Sequence, residues 1–441
     1  MMSLQTPEKI RTLQRKLYLK AKAEPDFRFY LLYDKVYSED SLQHAYRLAR
    51  SNKGAPGVDG QSFEMIEASG LEEWLSGLRE ELRGKTYRPQ AVRRVRIPKP
   101  GGGERSLGIP TIRDRVVQTA VKLVIEPIFE ADLDPNAYGY RPKRSAGDAV
   151  RKVHELLCQG YSEVVDADLS NYFDSIPHRE LLQSVARRIV DRNMPRLIKL
   201  WLEVPVEETD RDGKRRLSGG KKSDRGTPQG GIISPLLASV YMNRFLKYWR
   251  ITDQERKLRA QVVTYADDFV ILSRGNAAEA LAWTRTVMTR LGLCLNEAKT
   301  SVRDARRESF DFLGYSYGPH RYRKDGHWYL GASPSKKSVA RLKLKVRGLL
   351  QRGNQAPWPE IRDQLNSLLR GWSAYFDHGT RLIAYREVDN YVYDRVRRFL
   401  VRRHKVSSRG TKRFSTEVVF ADRGVLRLRR VHLGPPPCAS G

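Results

Sequence analysis

The sequence predicts an α+β protein in which short strands form a sheet that helices cover on one face. Three observations lead to this prediction. Short apolar runs typical of strands occur in the middle of the chain. They alternate there with longer segments whose apolar side chains recur every three or four positions, as in helices. After about residue 335 the pattern is only helical and basic, and such partial separation of strands and helices favours an α+β fold.

Turn residues and periodicity set the predicted boundaries. Glycine and proline clusters at 53–60 and 98–105 mark an ordered loop and a hairpin-like turn. Residues 414–430 of the tail predict one β-like hairpin. The predicted strands cover residues 91–97, 106–109, 164–168, 262–264 and 269–272. The predicted helices cover residues 8–50, 62–83, 111–130, 181–189, 236–245, 281–291, 336–352, 358–376 and 385–403.

Positive charge is the unusual feature of the composition. The 441 residues include 81 Lys and Arg against 51 Asp and Glu, which gives a formal net charge of +30. An excess of 18 positive charges lies in residues 321–441 alone. Such a surface binds polyphosphates by releasing their counterions, so we predict a nucleic-acid partner. A merely solubilising surface or a membrane-surface patch is the alternative.

The cysteines and the hydropathy pattern exclude several classes of protein. The three cysteines are far apart and form no paired motif, which argues against a disulfide framework and a zinc module. Residues 1–25 lack the apolar core of a signal peptide, and no run of about 18 apolar residues predicts a membrane span. We therefore expect a soluble protein of a reducing compartment, the cytoplasm, with no membrane partner.

Two adjacent carboxylates lie between two apolar strand-like runs. Asp267 and Asp268 follow residues 262–266 and precede residues 269–272. Burying such a pair near a sheet without a cation is costly, and Mg²⁺ is a hard cation that takes carboxylate oxygens. The pattern therefore predicts a metal site at a hairpin turn. For the pair taken alone, a solvated turn is the alternative.

A second strand supplies a third carboxylate. Residues 164–168 form an apolar run that ends in Asp168. Three carboxylates can hold two metal ions about 3.5–4 Å apart, one to activate a primer 3′-hydroxyl and one to stabilise the leaving pyrophosphate. Asp168, Asp267 and Asp268 are therefore the predicted catalytic residues of a template-directed nucleic-acid polymerase.

Other segments carry candidate nucleotide contacts. The ring of Phe173 can press on the 2′ position of an incoming nucleotide and exclude ribose. Ordinary core packing of this ring, with Asp174 as a helix N-cap, is the alternative. Gln229 lies in a glycine-rich loop and can hydrogen-bond a base or sugar. Lys99 and Arg105 flank a glycine turn and can bind a triphosphate, unless they are simply solvated.

Five segments, taken together and in this order, resemble the motifs of reverse transcriptases. Residues 168–174 resemble the first aspartate motif of that family, residues 226–235 its Pro-Gln-Gly motif and residues 265–268 its Tyr-x-Asp-Asp box. Residues 291–299 are similar to the motif that follows, and residues 312–315 resemble the primer grip. Five motifs in the right order make a chance similarity unlikely.

The subfamily that the sequence resembles most is the group II intron-encoded reverse transcriptase and maturase. The similarity covers roughly residues 30–405. The segments that carry it are residues 54–60, 97–100, 105–111, 114–118, 138–142 and 371–372.

The resemblance implies a right-hand polymerase fold, with fingers, a palm built on an antiparallel sheet, and a helical thumb. It divides the chain into an N-terminal extension with the start of the fingers at 1–86 and the fingers and palm at 87–320. The thumb, or maturase X domain, then covers 321–405, and a small basic C-terminal element that binds DNA or RNA covers 406–441.

The resemblance also implies the remaining site residues and the cofactor. Leu169 joins Asp168, Asp267 and Asp268 at a site for two Mg²⁺ ions, for which Mn²⁺ can substitute. The implied nucleotide contacts are Lys99, Arg105, Leu169, Phe173, Gln229 and Lys299. The implied primer grip consists of Leu313, Gly314 and Tyr315.

The implied substrates and partners are dNTPs, an RNA template with a DNA primer, a DNA target, and the group II intron RNA that a maturase helps to splice. Intron mobility by target-primed reverse transcription follows from the same resemblance. Some members carry an HNH endonuclease with paired cysteines, whereas only Cys438 lies in this tail, so we expect no such domain. The expected location is a nucleoid-associated ribonucleoprotein, and the oligomeric state stays open.

Two other activities also stay open. The chain could be an RNA-binding splicing factor with little polymerase activity, or a domesticated repair or defence enzyme of the same fold. The form of the Pro-Gln-Gly motif argues against a diversity-generating enzyme. The extended N-terminal region and Gly371-Trp372 argue against a retron enzyme.

Overall fold

The computed structural model describes residues 4–98, 104–209, 214–228, 230–321 and 325–430. Five helices come first along the chain, and they confirm the helices predicted for residues 8–50 and 62–83. These helices are α1 (Glu8–Ala23), α2 (Tyr33–Val36), α3 (Glu39–Ser51), α4 (Phe63–Ala68) and α5 (Leu71–Arg83).

The middle of the chain alternates strands and helices, as predicted. Its first elements are β1 (Val92–Pro98), β2 (Glu104–Ile109), α6 (Ile112–Glu130), α7 (Ala146–Cys158), β3 (Glu163–Asp168), α8 (Tyr172–Ser175), α9 (His178–Ala186), α10 (Asn193–Leu202), β4 (Pro205–Thr209) and β5 (Arg215–Gly219). Its later elements are α11 (Ser234–Ile251), α12 (Gln254–Lys257), β6 (Ala260–Tyr265), β7 (Asp268–Ser273), α13 (Ala277–Arg290), β8 (Ser301–Asp304), β9 (Phe310–Phe312), β10 (Tyr315–Arg321) and β11 (Trp328–Pro334).

Helix α6 is the centre of the N-terminal half. Helices α1, α2 and α3 pack against it, and α11 contacts it as well. The helix is therefore apolar on most of its surface, whereas a helix with one solvated side shows a single stripe. Thr111 caps its first turn by accepting a hydrogen bond from the Asp114 backbone amide. The Asp114 carboxylate is buried and accepts hydrogen bonds from the Tyr87 and Thr111 hydroxyls.

A four-stranded sheet in the order β2-β1-β4-β5 follows these helices. Strands β1 and β2 form the predicted antiparallel hairpin, with Pro98 opposite Glu104. The glycine turn between them, with the candidate Lys99, lies outside the described residues. Strand β1 also pairs in parallel with β4. The arginine-rich hairpin is thus one part of a larger sheet.

The central sheet has the order β6-β7-β3-β8 and is antiparallel throughout. The prediction that helices cover only one face of it was wrong. Val165 and Ile271 face a core that includes α11 and α13, while Val164 and Leu272 face a second core with α7 and strands β9 to β11. Consecutive apolar residues on β3 and β7 reflect this, because a strand buried on both faces need not alternate with polar residues.

The C-terminal third is a helical unit attached to a small sheet in the order β11-β10-β9. No helix in the described part of the chain is both long and apolar enough to cross a membrane. One hydrophobic core joins the three C-terminal helices, and they confirm the predicted helical pattern. These helices are α14 (Lys336–Leu349), α15 (Trp358–Tyr375) and α16 (Leu382–Arg403).

The β-like hairpin predicted at 414–430 was wrong. The segment contains a helical turn at Val418–Asp422 and a short helical turn at Leu428–Arg430. Its apolar side chains enter the core of α14 to α16. Asn366 accepts a hydrogen bond from the Leu426 amide, and Asp389 accepts one from the Leu428 amide. Because helix side chains bind these backbone groups, the segment needs no strand partner.

Candidate active site

The three predicted catalytic carboxylates meet at one end of the central sheet. Strands β3 and β7 pair so that Asp168 lies directly opposite Asp268. Tyr265 pairs with Asp268 across the β6–β7 hairpin, so Ala266 and Asp267 form a two-residue turn. Directly opposed residues in an antiparallel pair have Cα atoms roughly 4.5–5.5 Å apart. The strand register therefore brings the segment that ends in Asp168 next to the segment that carries Asp267 and Asp268, as the sequence predicted.

Negative charge accumulates at this sheet end. The pKa of Asp268 is raised to about 6. The main cause is the loss of hydration next to the surrounding protein, although part of the residue reaches solvent, and repulsion from Asp267 and Asp168 adds to the shift. Burial also raises the pKa of Asp166, and the repulsion from Asp168 adds to that shift while Arg303 opposes it. Crowded carboxylates favour their neutral forms unless a cation joins them.

Asp166 was missed by the sequence analysis. It precedes Asp168 by two residues on β3 and therefore shares its face of the strand. Its pKa is shifted by Asp168, and it contributes in turn to the shift of Asp268. The strand period of two was the signal that could have identified it.

Lys299 lies against Asp168, one of the predicted catalytic carboxylates. Its Nζ atom is 2.9 Å from Asp168 Oδ2, and Asn296 Nδ2 is 3.2 Å from the same oxygen. The backbone N–H of Asn296 also donates to the backbone carbonyl group of Asp168 at 2.8 Å. The structure thus places Lys299 on a carboxylate, and its predicted nucleotide contact stays a prediction.

The donor set fits divalent cations. Asp168, Asp267 and Asp268 lie together at this sheet end, and hard cations such as Mg²⁺ take carboxylate oxygens. Among the residues that the structure describes, no group of three Asp, Glu, His or Cys side chains is placed so that it could hold a metal ion. Lys299 instead satisfies part of the charge of Asp168.

A cavity of about 440 Å³ opens beside the carboxylates. Residues 168–174, Asp267 and Lys299 line it, together with Glu104 and Ser106 of β2. Arg105 lies between these two on β2, but its side chain lies outside the described part of the structure. The cavity therefore joins two of the predicted catalytic residues, Asp168 and Asp267, with the predicted nucleotide residues Leu169 and Phe173.

Phe173 is nearly buried at the edge of this cavity, with 8% of its surface exposed. It lies in α8, a helix whose N-cap is Asn171 in the left-handed conformation. Asp174 is inside the helix, so the alternative N-cap role for Asp174 was wrong. The Phe173 carbonyl group accepts a hydrogen bond from the Thr227 amide at 2.7 Å.

The glycine-rich loop at 226–234 supports α8 and the hairpin of the first sheet. Gly230 has a φ of 106°, and a Cβ atom there would lie 2.1 Å from the Gly108 carbonyl oxygen. The sequence predicted that these glycines let the backbone approach a ligand closely. At Gly230 the close neighbour is instead the backbone of β2. Gln229 lies outside the described residues, and its nucleotide contact stays a prediction.

The predicted primer-grip residues form the turn between β9 and β10. Phe312 pairs with Tyr315, so Leu313 and Gly314 are a two-residue turn, and both have positive φ angles. The Gly314 carbonyl group accepts hydrogen bonds from the Ser335 amide and the Ser338 hydroxyl at the start of α14. Tyr315 is 1% exposed. Only the turn is thus accessible, while Tyr315 is part of the core.

Two hydroxyl groups connect this turn to α15. Tyr315 donates to the Tyr375 carbonyl group at 2.9 Å, and Tyr375 donates to the Leu313 carbonyl group at 2.8 Å. Burial raises the pKa of Tyr315 well above its usual range, which keeps this hydroxyl a donor. The grip turn and the C-terminal helices are therefore held in a defined relation.

The fold and the site define a class of protein. Clustered carboxylates at the end of an antiparallel sheet suit metal-assisted displacement at phosphorus. The large basic excess and the helical unit beyond the sheet suit a long polyphosphate substrate. These features are those of a nucleic-acid polymerase.

The chain belongs to the reverse transcriptases. Residues 97–317 match the family model described as reverse transcriptase (RNA-dependent DNA polymerase). Residues 339–415 match the maturase-specific domain of group II introns. The chain therefore combines an RNA-directed DNA polymerase with a group II intron maturase domain, and helices α14 to α16 lie mostly within the maturase match.

Several curated proteins are similar over most of this chain. Protein YkfC of Escherichia coli K12 is 35% identical over 69% of this chain and 87% of its own length. The group II intron-encoded protein LtrA of Lactococcus lactis is 28% identical over 68% of this chain, which spans 58% of LtrA. The putative COX1/OXI3 intron 1 protein of Saccharomyces cerevisiae is 24% identical over 84% of this chain and 48% of its own length. The chain thus spans most of the first relative and about half of the other two.

Proposed function

We propose that this protein extends a DNA primer on an RNA template with dNTPs, using two Mg²⁺ ions held by Asp168, Asp267, Asp268 and Leu169. Mn²⁺ can substitute because it also accepts carboxylate ligands. When bound, the ions polarise the reacting phosphate and lower the pKa of the attacking hydroxyl group. The one observation that carries this proposal is the register that sets Asp168 opposite Asp268 with Asp267 in the adjoining turn.

The residues around the carboxylates have separate tasks. The turn carrying Asp267 presents that side chain to the cavity, because the hairpin ends there. Lys299, which contacts Asp168, would balance the charge of that carboxylate and contribute to binding of the nucleotide. Lys99, Arg105 and Gln229 complete the proposed contacts to the triphosphate and the base or sugar.

Removal of divalent metal tests the proposal. We expect a labelled DNA primer annealed to RNA to be extended with dNTPs and Mg²⁺, to stop with excess EDTA, and to resume when Mg²⁺ or Mn²⁺ is restored. The rate should rise more steeply than first order with metal concentration, because both ions must be bound. Extension in excess EDTA would contradict the proposal, as would the absence of extension with either metal.

Phe173 is the proposed sugar gate. Its ring is nearly buried at the cavity edge and its backbone is tied to the loop at 226–234, so it cannot readily move aside for a 2′-hydroxyl group. We expect Phe173→Ala to raise ribonucleotide incorporation by about tenfold or more, since a difference of one methylene group in a pocket already changes discrimination by ~1–3 kcal/mol. Single-nucleotide incorporation of matched dNTP and NTP measures the ratio. An unchanged ratio would reject the gate.

The second part of the proposed function is maturase activity on a group II intron RNA. The match at 339–415 supports it, and the basic excess of residues 321–441 supplies charge for phosphate binding. We propose that the N-terminal extension at 1–86 and the thumb at 321–405 bind the intron RNA. Residues 87–320 would then carry the fingers and palm.

Intron mobility extends this proposal to DNA. The stretch at 406–441 would bind a DNA target or RNA. Its residues up to 430 are packed on the thumb, so this stretch and the thumb would bind nucleic acid as one surface. The polymerase would then copy the intron RNA from a primer in the DNA target.

A further inference from the structure

The segment at 136–141 begins beside β6, the edge strand of the central sheet. The Tyr138 amide donates to the Thr264 carbonyl group at 2.9 Å, and the Thr264 amide donates to the Asn136 carbonyl group at 3.0 Å. Ala137 thereby forms a parallel bridge with Thr264. The segment is therefore held to the edge of the sheet by one β-bridge, close to the turn that carries Asp267.

Arg141 anchors this segment. Its side chain is 5% exposed and forms an ion pair with Glu130 at 2.6 Å. It also donates to the carbonyl groups of Asp134 and Ala137, each at 2.6 Å. Charge-assisted hydrogen bonds of a planar guanidinium group fix both position and orientation. The residues just before Arg141 are consequently held in place.

Gly139 lies against the backbone of the catalytic turn. A Cβ atom on Gly139 would be 2.1 Å from the Ala266 nitrogen and 2.9 Å from the Tyr265 carbonyl carbon. Ala266 has a φ of 60°, a conformation that costs an alanine free energy and needs support from its surroundings. The backbone at Gly139 supplies that support by direct contact.

Tyr140 contacts the proposed sugar gate. Its ring centroid is 6.2 Å from that of Phe173, in an edge-to-face arrangement. Tyr140 itself has a φ of 58° and is 43% exposed, an uncommon combination for a large residue. Tyr140 is therefore not held by burial in the apolar core, and its ring lies against Phe173, which lines the cavity.

We infer that Tyr140 is a specificity-determining residue that holds the Phe173 ring against the sugar of the incoming nucleotide. The inference deepens the proposed function and rests on Phe173 as the gate. One anchored segment would then support the catalytic turn through Gly139 and the sugar gate through Tyr140. Substrate discrimination and metal-ligand geometry would share a single rigid support.

The test measures kcat/KM for one matched dNTP and the corresponding NTP. We expect Tyr140→Ala to lower the dNTP preference by about two- to tenfold, the range that the loss of an aromatic pair produces. Tyr140→Phe should retain the preference because it keeps the ring. Tyr140→Gly should behave like Tyr140→Ala, because it relieves the backbone strain but also removes the ring.

Tyr248 provides a matched control. It is 40% exposed and stacks on Trp283 with ring centroids 5.6 Å apart, and Tyr248→Ala should leave the sugar preference unchanged. A wild-type preference in Tyr140→Ala and Tyr140→Gly, while Phe173→Ala loses it, would overturn the inference and leave the gate intact. A wild-type preference in Phe173→Ala would overturn both the gate and the inference, while metal-dependent primer extension would still stand.

Discussion

Asp267→Ala is expected to reduce RNA-templated DNA synthesis by about a thousandfold or more, because several kcal/mol of transition-state stabilisation depend on the metal ligands. Asp267 lies in the two-residue turn beside Asp268 and lines the cavity. Folding should change little, because removing one of several repelling carboxylates relieves charge. Primer extension in single turnover, with thermal unfolding in parallel, measures both effects.

Asp34→Ala is the matched control for this variant. Asp34 is a half-exposed aspartate that pairs with Lys35 at the surface, and exposed pairs contribute little to stability. We expect wild-type extension from it. If Asp267→Ala extends primers at the wild-type rate, the carboxylate site is not the polymerase site.

The same variant separates the polymerase from the maturase. Intron RNA binding and splicing should persist in Asp267→Ala, because the proposed RNA surfaces lie in the N-terminal extension and the thumb. Loss of splicing together with DNA synthesis would contradict that division. If the wild-type protein supports splicing but extends no primer, an RNA-binding splicing factor is the correct description.

Gly139→Ala is expected to lower kcat by about a hundredfold, with a smaller effect on the KM for primer and template. The new Cβ atom would lie 2.1 Å from the Ala266 nitrogen and 2.8 Å from its Cα atom. Backbone atoms cannot rotate away as a side chain can, so the catalytic turn must shift. Misplacement of reacting groups by about 1 Å can cost a hundredfold in rate.

Gly77→Ala is the control for the glycine substitution. Gly77 lies in α5, where a Cβ atom would meet nothing within 4 Å. Alanine there should raise stability by up to about 1 kcal/mol and leave extension unchanged. Wild-type kcat in Gly139→Ala would show that the segment at 136–141 does not position the turn.

Local patterns of the sequence were sufficient to predict the strands around the catalytic residues. Consecutive apolar residues before Asp168 and on both sides of the pair at 267–268 predicted β3, β6 and β7, and the structure confirms these strands. The order of the motifs predicted the family, and the comparisons confirm it. These predictions succeeded because strand formation and motif spacing are properties of short, contiguous segments.

Long-range packing limited the other predictions. The second face of the central sheet is covered by α7 and by strands β9 to β11, which begin more than 150 residues after α7 ends. The tail at 414–430 lost its predicted hairpin because Asn366 and Asp389 bind its backbone. Neither set of contacts leaves a local pattern in the sequence.

The sequence by itself determined the chemical elements of this protein: which carboxylates lie at strand ends, which segments are basic, and which family the chain resembles. The tertiary structure decided their arrangement. Strand register placed Asp168 opposite Asp268 and brought Asp166 to the same face. The contact of Gly139 with the catalytic turn and of Tyr140 with Phe173 joins residues more than 30 positions apart. Such contacts depend on the packing of whole elements, because side-chain propensity acts only over a few neighbouring residues.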